Sequence, residues 1–296
     1  MGGTSSEREV SLVSGKNVAE ALKSLGKYEV FPVILDKDDL GVLPDGMDAV
    51  YIALHGGWGE NGGVQAALDA RGIPYTGPGA KASRLAMDKI ETKRLLDAAH
   101  VPTAKWRVVT SVDAEAPSAY PVVVKVPRDG SSVGVYLVKD EAGYREAVAK
   151  CLELDGREAI VEEYIPGREM TVGLIDGEPL PALEIVAKGG WYGYEEKYNS
   201  SETRYPFLAD SADPADRAIE ERIKSVAVDA WRALGCRGVT RVDFRVAPDG
   251  SPFVLELNTS PGFTSHSLVP QAGMRTGLTF AGVCERILNS ATCDRT

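Results

Sequence analysis

The sequence predicts a mixed α/β and α+β protein, in which a small unit with a parallel sheet precedes two units built from antiparallel strands. The first observation is an alternation of helical patterns with short apolar runs up to about residue 79, which is typical of a doubly wound parallel sheet. The second is that later strands are separated by turn signals and by few helices. With 296 residues, the chain is long enough for two or three subdomains that share an interface.

The N-terminal part carries the pattern of a parallel α/β unit. Apolar residues at helical spacing after Ser11 predict a helix that ends at Gly26. Apolar runs at 28–36 and 48–54 predict two strands, and the segment 64–72 predicts a second helix. Strands that alternate with helices predict parallel pairing, because a crossover helix returns the chain to the starting edge of the sheet.

The start of this unit departs from the usual order. A doubly wound unit normally opens with a buried strand that leads into a Gly-rich turn, whereas this sequence begins at the turn itself, "MGGTSSEREVSL". Two explanations stay open: the true start lies upstream, or the sheet has lost a central strand. The question matters for Glu7, because a strand before the turn would direct its side chain.

The rest of the chain shows strands separated by turns. Helices are predicted at 87–99, 140–152 and 213–234, and strands are predicted within 105–110, 121–138, 158–165, 169–175, 178–186 and 241–258. Asp176-Gly177 is a hairpin signal between two of these strands. Many strands with few helices predict antiparallel sheets. The polar, aromatic stretch 188–206 has no periodicity and predicts a functional loop.

Composition narrows the classes of partner. Forty-three acidic and 33 basic residues give a net charge of −10, which argues against nucleic-acid binding through a broad basic surface. A local site for a small anion stays open. The N-terminus has no apolar signal segment, and no apolar run approaches ~20 residues, so neither secretion nor a membrane span is predicted. The four cysteines lack CxxC spacing, which predicts reduced thiols in a cytosolic protein.

The hairpin 241–258 carries polar residues where a plain hairpin needs none. Side chains alternate across a strand, so Asp243, Glu256 and Asn258 are predicted to share one face. The same alternation predicts a polar face that also holds Arg241, Arg245 and Val254, and an apolar face that holds Val242, Phe244, Phe253, Leu255 and Leu257. Two carboxylates and an amide oxygen suit Mg²⁺. The alternative is a solvated face with ordinary charge alternation.

Two further segments suit a nucleotide. "DGSSVG" is small and Gly-flanked, so its N–H groups can approach phosphate oxygens, with Lys125 as a nearby positive charge. A plain hairpin turn explains that segment equally well. In "VEEYIPGREMTV", Glu162 and Glu169 flank an apolar bend at Tyr164-Ile165, which suits an adenine and its ribose hydroxyls. An exposed acidic turn is the alternative there.

The stretch "NTSPGFTSHSLVP" offers many hydrogen-bond donors and little apolar surface. Its hydroxyls and N–H groups bracket Gly262 and end at Ser267-Leu268, and such a loop suits a carboxylate and an oxyanion. Glu7 and His55 lie in loops at the ends of predicted strands, where ligands bind in open α/β sheets. A small polar substrate therefore has candidate contacts in both parts of the chain.

These pieces, in this order, resemble the D-alanine–D-alanine ligases of the ATP-grasp superfamily along nearly the whole chain, from Gly2 to about Leu288. The matching motifs are "GGTSSEREVSL", "LHGGWGENGGVQAAL", "YTGPGAKASRLAMDK", "VVVKVPRDGSSVG", "EKYNSSETRYP", "LGCRGVTRVDF" and "LELNTSPGFTSHSLVP". Small departures occur in two of them: Asn61 stands where the family usually has Asp, and "KVPRDGSS" replaces a more common "KP" with a later Glu. Both keep the small, polar character of a loop near a site.

The resemblance implies a three-part fold and a reaction. The N-terminal unit 1–79 would hold the first D-alanine, and ATP would lie between a central ATP-grasp unit at 80–166 and a C-terminal unit at 167–296. Two Mg²⁺ ions, with Mn²⁺ as an alternative, would accompany ATP. The expected product is D-alanyl-D-alanine, made through a D-alanyl phosphate for peptidoglycan synthesis by a cytoplasmic homodimer that binds neither nucleic acid nor membrane.

The resemblance also implies roles for residues at the ATP end. Lys89 and Lys125 would contact phosphates, and the remaining ATP contacts would come from Ser132, Glu162, Ile165, Glu169 and Lys197. Asp243, Glu256 and Asn258 would hold the metal ions.

At the amino-acid end, Glu7 would bind the ammonium of the first alanine, with His55 nearby. Arg241 and the Gly262 N–H would stabilise the oxyanion. The carboxylate of the second alanine would meet Ser267 and the Leu268 N–H. Finally, Ser131 and Tyr198 would join Glu7 in closing the polar loop over the site.

Two alternatives to this ligase stay open. An ATP-grasp enzyme with another acceptor, D-lactate or D-serine, would share most of the motifs. Relatives that make D-alanyl-D-lactate usually carry Phe where this sequence has Tyr198, which favours D-alanine. A truncated, non-catalytic nucleotide-binding protein is the alternative from a different class.

Overall fold

The computed structural model describes residues 1–130, 133–187, 202–264 and 266–294. Within these ranges the helices are α1 (Arg8–Ser24), α2 (Gly63–Asp69), α3 (Ala80–Met87), α4 (Lys89–Ala98), α5 (Glu141–Asp155), α6 (Pro214–Ala233), α7 (Leu268–Arg275) and α8 (Phe280–Asn289). The strands are β1 (Trp106–Val109), β2 (Val122–Lys125), β3 (Val135–Val138), β4 (Ala159–Glu163), β5 (Arg168–Ile175), β6 (Glu178–Pro179), β7 (Leu183–Ile185), β8 (Val239–Val246) and β9 (Pro252–Asn258).

The first sheet has the strand order β1, β4, β2, β3, and every pair in it is antiparallel. Helix α5 covers one face of this sheet and buries Tyr144, Val148 and Cys151 against it. The helix begins at Asp140, whose carboxylate accepts a hydrogen bond from the Gly143 N–H and so satisfies an orphan donor of the first turn. The predicted antiparallel layer is confirmed.

The second sheet has the order β6, β5, β8, β9, and β7 also pairs with β5; all these pairs are antiparallel. The predicted hairpin turn at Asp176-Gly177 is confirmed, and both residues have the positive φ, 52° and 78°, that a tight hairpin of this kind uses. Helix α6 packs its buried Ile223, Ala227 and Ala230 on the core behind this sheet. All eight residues of β8 are buried.

A β-bulge changes the predicted side-chain alternation in β9. Asp243 pairs with Glu256, but Phe244 pairs with Val254, so Leu255 is an extra residue without a partner across the ladder. Val254 therefore turns into the core, and Leu255 lies instead at the surface of a cleft. The prediction that Val254 shares the polar face is wrong, and so is the prediction of an apolar, core-directed Leu255. Phe253, opposite Arg245, is also on the non-core face.

The two N-terminal segments predicted as strands do not form the predicted ladder. Within the described residues, parallel pairing joins Gly2 to Leu35 and Val50 to Tyr75 as isolated bridges. Between these two pairs lies a cavity of about 680 Å³, which is lined by both 28–35 and 45–54 and by helix α1. In the described residues, no backbone hydrogen bond joins the segments predicted at 28–36 and 48–54, and both segments line this cavity instead.

Helices α3 and α4 contribute to the core of the second sheet. Ala82, Ala86 and Leu96 pack with Phe244 and Val254. Although these helices precede the first sheet in the sequence, their packing ties the residues around Lys89 to β9. Helix α1 packs with α8 and with residues next to the second sheet. In the described part of the chain, no helix combines the length and the apolar character needed to cross a membrane.

Hydrogen exchange tests the cavity in the N-terminal unit. We expect backbone amides in 28–34 to exchange at least about tenfold faster than those of β8, because ladder hydrogen bonds protect β8 on both sides. Peptide-resolved exchange followed by mass spectrometry measures both regions in one sample. Equal protection in the two regions would contradict the cavity described here.

Candidate active site

A cleft between the two sheets collects most of the residues predicted to bind ATP. One wall comes from β2, β3 and β4, and the other from β5, β8 and β9. The lining includes Lys89, Lys125, Glu162, Ile165, Glu169, Arg241, Asp243 and Glu256. The turn from β4 to β5 closes one end, so residues 164 and 165 stand where the two sheets meet.

A buried charge triad stands in the first wall. Glu162 is 2% exposed, and its Oε2 accepts a hydrogen bond from the Lys125 Nζ at 2.9 Å. Its Oε1 lies 3.3 Å from the Nζ of Lys93 on α4. Burial alone would raise the pKa of Glu162, but Lys125 and Lys93 outweigh burial and hold that pKa below its usual range. Glu162 is therefore an anion fixed between two lysines.

The second wall carries an acidic group. Burial raises the pKa of Glu169 to about 7, and repulsion from Asp243 and Glu256 adds to the shift, while Arg245 opposes it. The Arg245 Nη1 lies 3.6 Å from Glu169. Three carboxyl groups thus face one region of the cleft, and their repulsion is what a bound cation would relieve.

Arg241 and Asp243 form a buried ion pair on β8. The Arg241 Nε and Nη2 donate to the two oxygens of Asp243 at 2.8 and 2.7 Å, and the Thr171 hydroxyl also donates to Asp243 at 2.6 Å. The arginine predicted for the oxyanion is therefore held by the aspartate predicted for the metal. The bidentate contact fixes the guanidinium plane.

The predicted metal ligands share one face of the hairpin. The β8–β9 register pairs Asp243 with Glu256 and Arg241 with Asn258, and the Asn258 Oδ1 accepts a hydrogen bond from the Ser260 N–H at 2.9 Å. In the described residues, no group of three or more His, Cys, Asp or Glu side chains is close enough to hold a metal ion by itself. The oxygen-only donor set and the raised pKa of Glu169 fit Mg²⁺, with water and substrate phosphates as its other ligands.

Arg245 is a site residue that sequence reasoning assigned to no role. It donates to the backbone oxygens of Ile165 at 3.2 Å and Gly167 at 2.8 Å, and to the Tyr164 hydroxyl at 3.2 Å. These contacts fix the turn that joins the two sheets. Strand alternation, which places Arg245 on the same face as Asp243, is the sequence signal that could have identified it as a site residue.

The segment that precedes residue 131, predicted to approach phosphates, is held by Lys89 and by Arg128. The Lys89 Nζ donates to the Asp129 backbone oxygen. Arg128 forms ion pairs with Asp88, Asp155 and Glu158 at 2.6 to 3.0 Å, which anchors this segment to α4 and α5. Four predicted site residues, Ser131, Ser132, Lys197 and Tyr198, lie outside the described residues.

Glu7 stands where two N-terminal loops meet. The Ser5 hydroxyl donates to the His55 backbone oxygen at 2.5 Å and accepts from the Glu7 N–H at 3.2 Å. Gly56 has a φ of 65°, which strains any residue with a side chain, and a Cβ there would come within 2.7 Å of the Glu7 carboxylate. The two strand-end loops predicted to carry Glu7 and His55 are thus adjacent.

His55 is buried and joins three parts of the chain. Its Nδ1 lies 3.0 Å from the Ser260 backbone oxygen and its Nε2 lies 2.9 Å from the Ser14 hydroxyl, which in turn accepts from the Phe263 N–H. A carbonyl oxygen can only accept, so Nδ1 carries the proton and the hydroxyl donates to Nε2. This network gives His55 a positioning role for the loop around Gly262.

The loop from 258 to 267 leads into the N-terminus of α7. The Ser267 Oγ accepts a hydrogen bond from the Thr264 N–H at 2.9 Å and lies close enough to Gly262 that a Cβ there would come within 2.8 Å of it. Leu268 is the first residue of α7. Its N–H group lies at the positive end of the helix dipole, which favours a carboxylate.

This arrangement defines the class of protein. A cleft between two antiparallel sheets, with Lys125 and Glu162 on one wall and Glu169, Asp243 and Glu256 on the other, is what the resemblance to the ATP-grasp ligases implies. A family model described as "D-ala D-ala ligase C-terminus" matches residues 95–289. The D-alanine–D-alanine ligase of Desulforudis audaxviator (strain MP104C) is 42% identical to this chain over 303 residues, which cover 98% of this chain and 96% of that protein. The chain belongs to the D-alanine–D-alanine ligase family.

Solved structures agree with this placement. The D-alanine–D-alanine ligase from Bacillus anthracis complexed with ATP is 31% identical, with a TM-score of 0.83 over 98% of this chain and 94% of that one. VanG D-Ala:D-Ser ligase from Enterococcus faecalis is 28% identical, also with a TM-score of 0.83, over 98% of this chain and 97% of that one.

The raised pKa of Glu169 predicts a pH-dependent stability. The pKa of this carboxyl is about 7 in the folded protein and near its ordinary value of 4.5 in the unfolded chain, so the folded state holds the proton more tightly between these pH values. Wild-type stability therefore falls as pH rises through this window, by ~3 kcal/mol at most, and Glu169→Gln should remove that fall. Urea unfolding in EDTA at pH 5 and pH 8 measures the difference. Glu163→Gln, at the exposed end of β4, is the control and should keep the wild-type difference in unfolding free energy between the two pH values. If Glu169→Gln also keeps that difference, Glu169 is not the titrating group.

Proposed function

We propose that this chain joins two D-alanines to D-alanyl-D-alanine at the expense of ATP, for peptidoglycan precursor synthesis. The observation that carries the proposal is the cleft between the two sheets, where Lys125 faces Glu169 and Glu256. The 42% identity to the Desulforudis audaxviator ligase over nearly the whole of both chains supports the same activity. Family members use ATP, and the Bacillus anthracis structure with ATP supports this cofactor here.

At the ATP end, we assign the adenine to the turn at Ile165 and the ribose hydroxyls to Glu169. Glu162 contributes to this pocket as the anion that fixes Lys125. Lys89 and Lys125 face the phosphates, and Ser132 and Lys197 complete the proposed contacts. Phosphoryl transfer needs mostly positioning and neutralised charge, and the fixed ammonium groups supply both.

Asp243, Glu256 and Asn258 are the residues that would hold Mg²⁺. The bound ion would neutralise charge on the phosphates during transfer. The number of ions per site, two in our proposal, and the choice between Mg²⁺ and Mn²⁺ follow from the family resemblance.

In the first step, Glu7 holds the ammonium of the first D-alanine. A carboxylate oxygen of that D-alanine attacks the γ-phosphorus of ATP. The bond to the β,γ-bridging oxygen breaks, which gives D-alanyl phosphate and ADP. Arg241 is already fixed by Asp243 at 2.7 to 2.8 Å. It can stabilise the developing oxyanion of the next step without reorganisation, together with the Gly262 N–H.

In the second step, the neutral amine of the second D-alanine attacks the acyl carbon, the bond to the phosphate oxygen breaks, and the leaving phosphate takes up the proton that the amine loses. Ser267 and the Leu268 N–H at the start of α7 hold the carboxylate of that alanine. Glu7, Ser131 and Tyr198 would close the loop over the site and exclude water, which matters because an acyl phosphate hydrolyses readily. His55 keeps the Gly262 loop in place.

Further features of the proposal come from the family resemblance. They are a division into units 1–79, 80–166 and 167–296, a homodimer, and D-alanine as the preferred second substrate. The likeness to the D-Ala:D-Ser ligase keeps D-serine in the test panel as acceptor.

The direct test is phosphate release from ATP by the purified protein. We expect release that requires both D-alanine and Mg²⁺, and dipeptide identified by mass spectrometry. Release with D-serine or D-lactate but not with a second D-alanine would indicate a different acceptor. Nucleotide binding without any D-alanine-dependent release would indicate a non-catalytic protein.

Glu256→Gln tests the metal assignment. We expect turnover to fall at least about hundredfold, because one of the two carboxylates proposed for Mg²⁺ is lost, while the circular dichroism spectrum stays unchanged. Glu221→Gln, whose side chain is 80% exposed on α6, is the matched control and should keep wild-type turnover. Full activity in Glu256→Gln would refute this ligand.

A further inference from the structure

Lys93 is a buried cation that the proposed mechanism does not use. It is 1% exposed, so its ammonium reaches neither solvent nor substrate. Its Nζ donates to the Thr103 Oγ1 at 2.7 Å, and that hydroxyl donates to the Val254 backbone oxygen at 2.8 Å. Its Nζ also lies 3.3 Å from the Glu162 Oε1. A buried charge is costly unless it is paired, so its presence here calls for an explanation.

The charge balance of the triad supplies that explanation. Lys125 lines the cleft, but its ammonium donates to Glu162, which cancels its charge. Two groups of opposite charge attract a distant phosphate only weakly. Lys93 contacts the other oxygen, Oε1, of the same Glu162 carboxylate. With Lys93, the triad carries a net charge of +1, and its two members that line the cleft are Lys125 and Glu162.

We propose that Lys93 is a positioning residue for phosphate binding: it neutralises Glu162 from behind, so that the charge of Lys125 acts on the nucleotide phosphates. This inference rests on the proposed function, because it takes the nucleotide to be the ligand of the cleft. Glu162 then has two neighbours with separate tasks. Lys125 meets the ligand, and Lys93 supplies the charge that keeps Lys125 available.

The Thr103 contact adds a geometric part to this role. Thr103 precedes the first sheet in the sequence, and its hydroxyl bonds Val254 on β9, two residues before Glu256. The Lys93 ammonium therefore links a carboxylate of the first wall to a strand of the second wall. It sets the distance between the lysine side of the cleft and the carboxylate side.

The charge argument is tested with ATP and adenosine as paired ligands. Adenosine lacks phosphates, so the ratio of the two dissociation constants isolates the phosphate contribution from any general damage to the cleft. We expect Lys93→Met to weaken ATP binding by about tenfold relative to adenosine, as loss of one buried charge at an effective dielectric of about 20 implies. Lys150→Met, at an exposed lysine that pairs with Glu146, is the matched control and should leave the ratio unchanged.

Glu162→Gln separates a charge role from a structural one. In the wild type background it should raise the preference for ATP over adenosine, because the triad then carries +2. In the Lys93→Met background it should restore a preference close to that of the wild type, because the net charge returns to +1. A merely structural Lys93 predicts no such rescue, since a second core substitution adds damage.

The outcomes distinguish this inference from the proposed function. If the wild type does not bind ATP, the proposed function fails. If it binds ATP, but Lys93→Met weakens ATP and adenosine equally, or Glu162→Gln gives no rescue, the charge role of Lys93 is overturned. Should Lys93→Met fail to fold, the double variant with Glu162→Gln still decides, because it removes both partners of the buried pair together, and a preference for ATP well below that of the wild type would contradict the charge count.

Discussion

Strand β8 is paired with β5 over eight residue pairs and with β9 over six. This pairing determines which side chains pack in the core and which line the cleft. Strand alternation sends Val242 and Phe244 into the core and leaves Arg241, Asp243 and Arg245 on the other face. A shift of one residue would exchange these two sets. The packing of apolar side chains behind the sheet is therefore what holds the charged side chains in the cleft.

Several charged groups in the described part of the cleft are each compensated by a neighbouring group. Glu162 lies between two lysines, Asp243 receives a bidentate arginine, and Arg245 holds backbone oxygens of the turn between the sheets. Buried groups paired in this way keep their geometry before any ligand arrives, and little reorganisation remains for the reaction itself. The cleft is thus a fixed electrostatic frame with Glu169 as its most readily titrated member.

Sequence reasoning succeeded where local rules decide the outcome. Period-two alternation brought Asp243, Glu256 and Asn258 to one face, helical spacing of apolar residues predicted α5 and α6, and the Asp-Gly pair marked the hairpin at Asp176. It failed at Leu255, because a bulge adds one residue to a strand without a sequence mark of its own. Sequence reasoning also missed Lys93, although Lys93 lies four residues after Lys89 on the predicted helix. Whether a lysine is buried depends on which strands pack against its helix, and the sequence does not show this. The segments predicted as N-terminal strands form only isolated bridges in the described residues, because a ladder needs a neighbour at hydrogen-bonding distance, which only the three-dimensional arrangement decides.

The carboxyl of Glu169 couples ligand binding to proton exchange. Its pKa of about 7 means that both protonation states are populated near neutral pH. A ligand that brings positive charge to this wall will lower that pKa and release a proton, whereas one that brings negative charge will take a proton up. The heat of binding will therefore differ between buffers with different ionisation enthalpies, and the sign of that difference reports which charge the carboxyl group experiences in the complex.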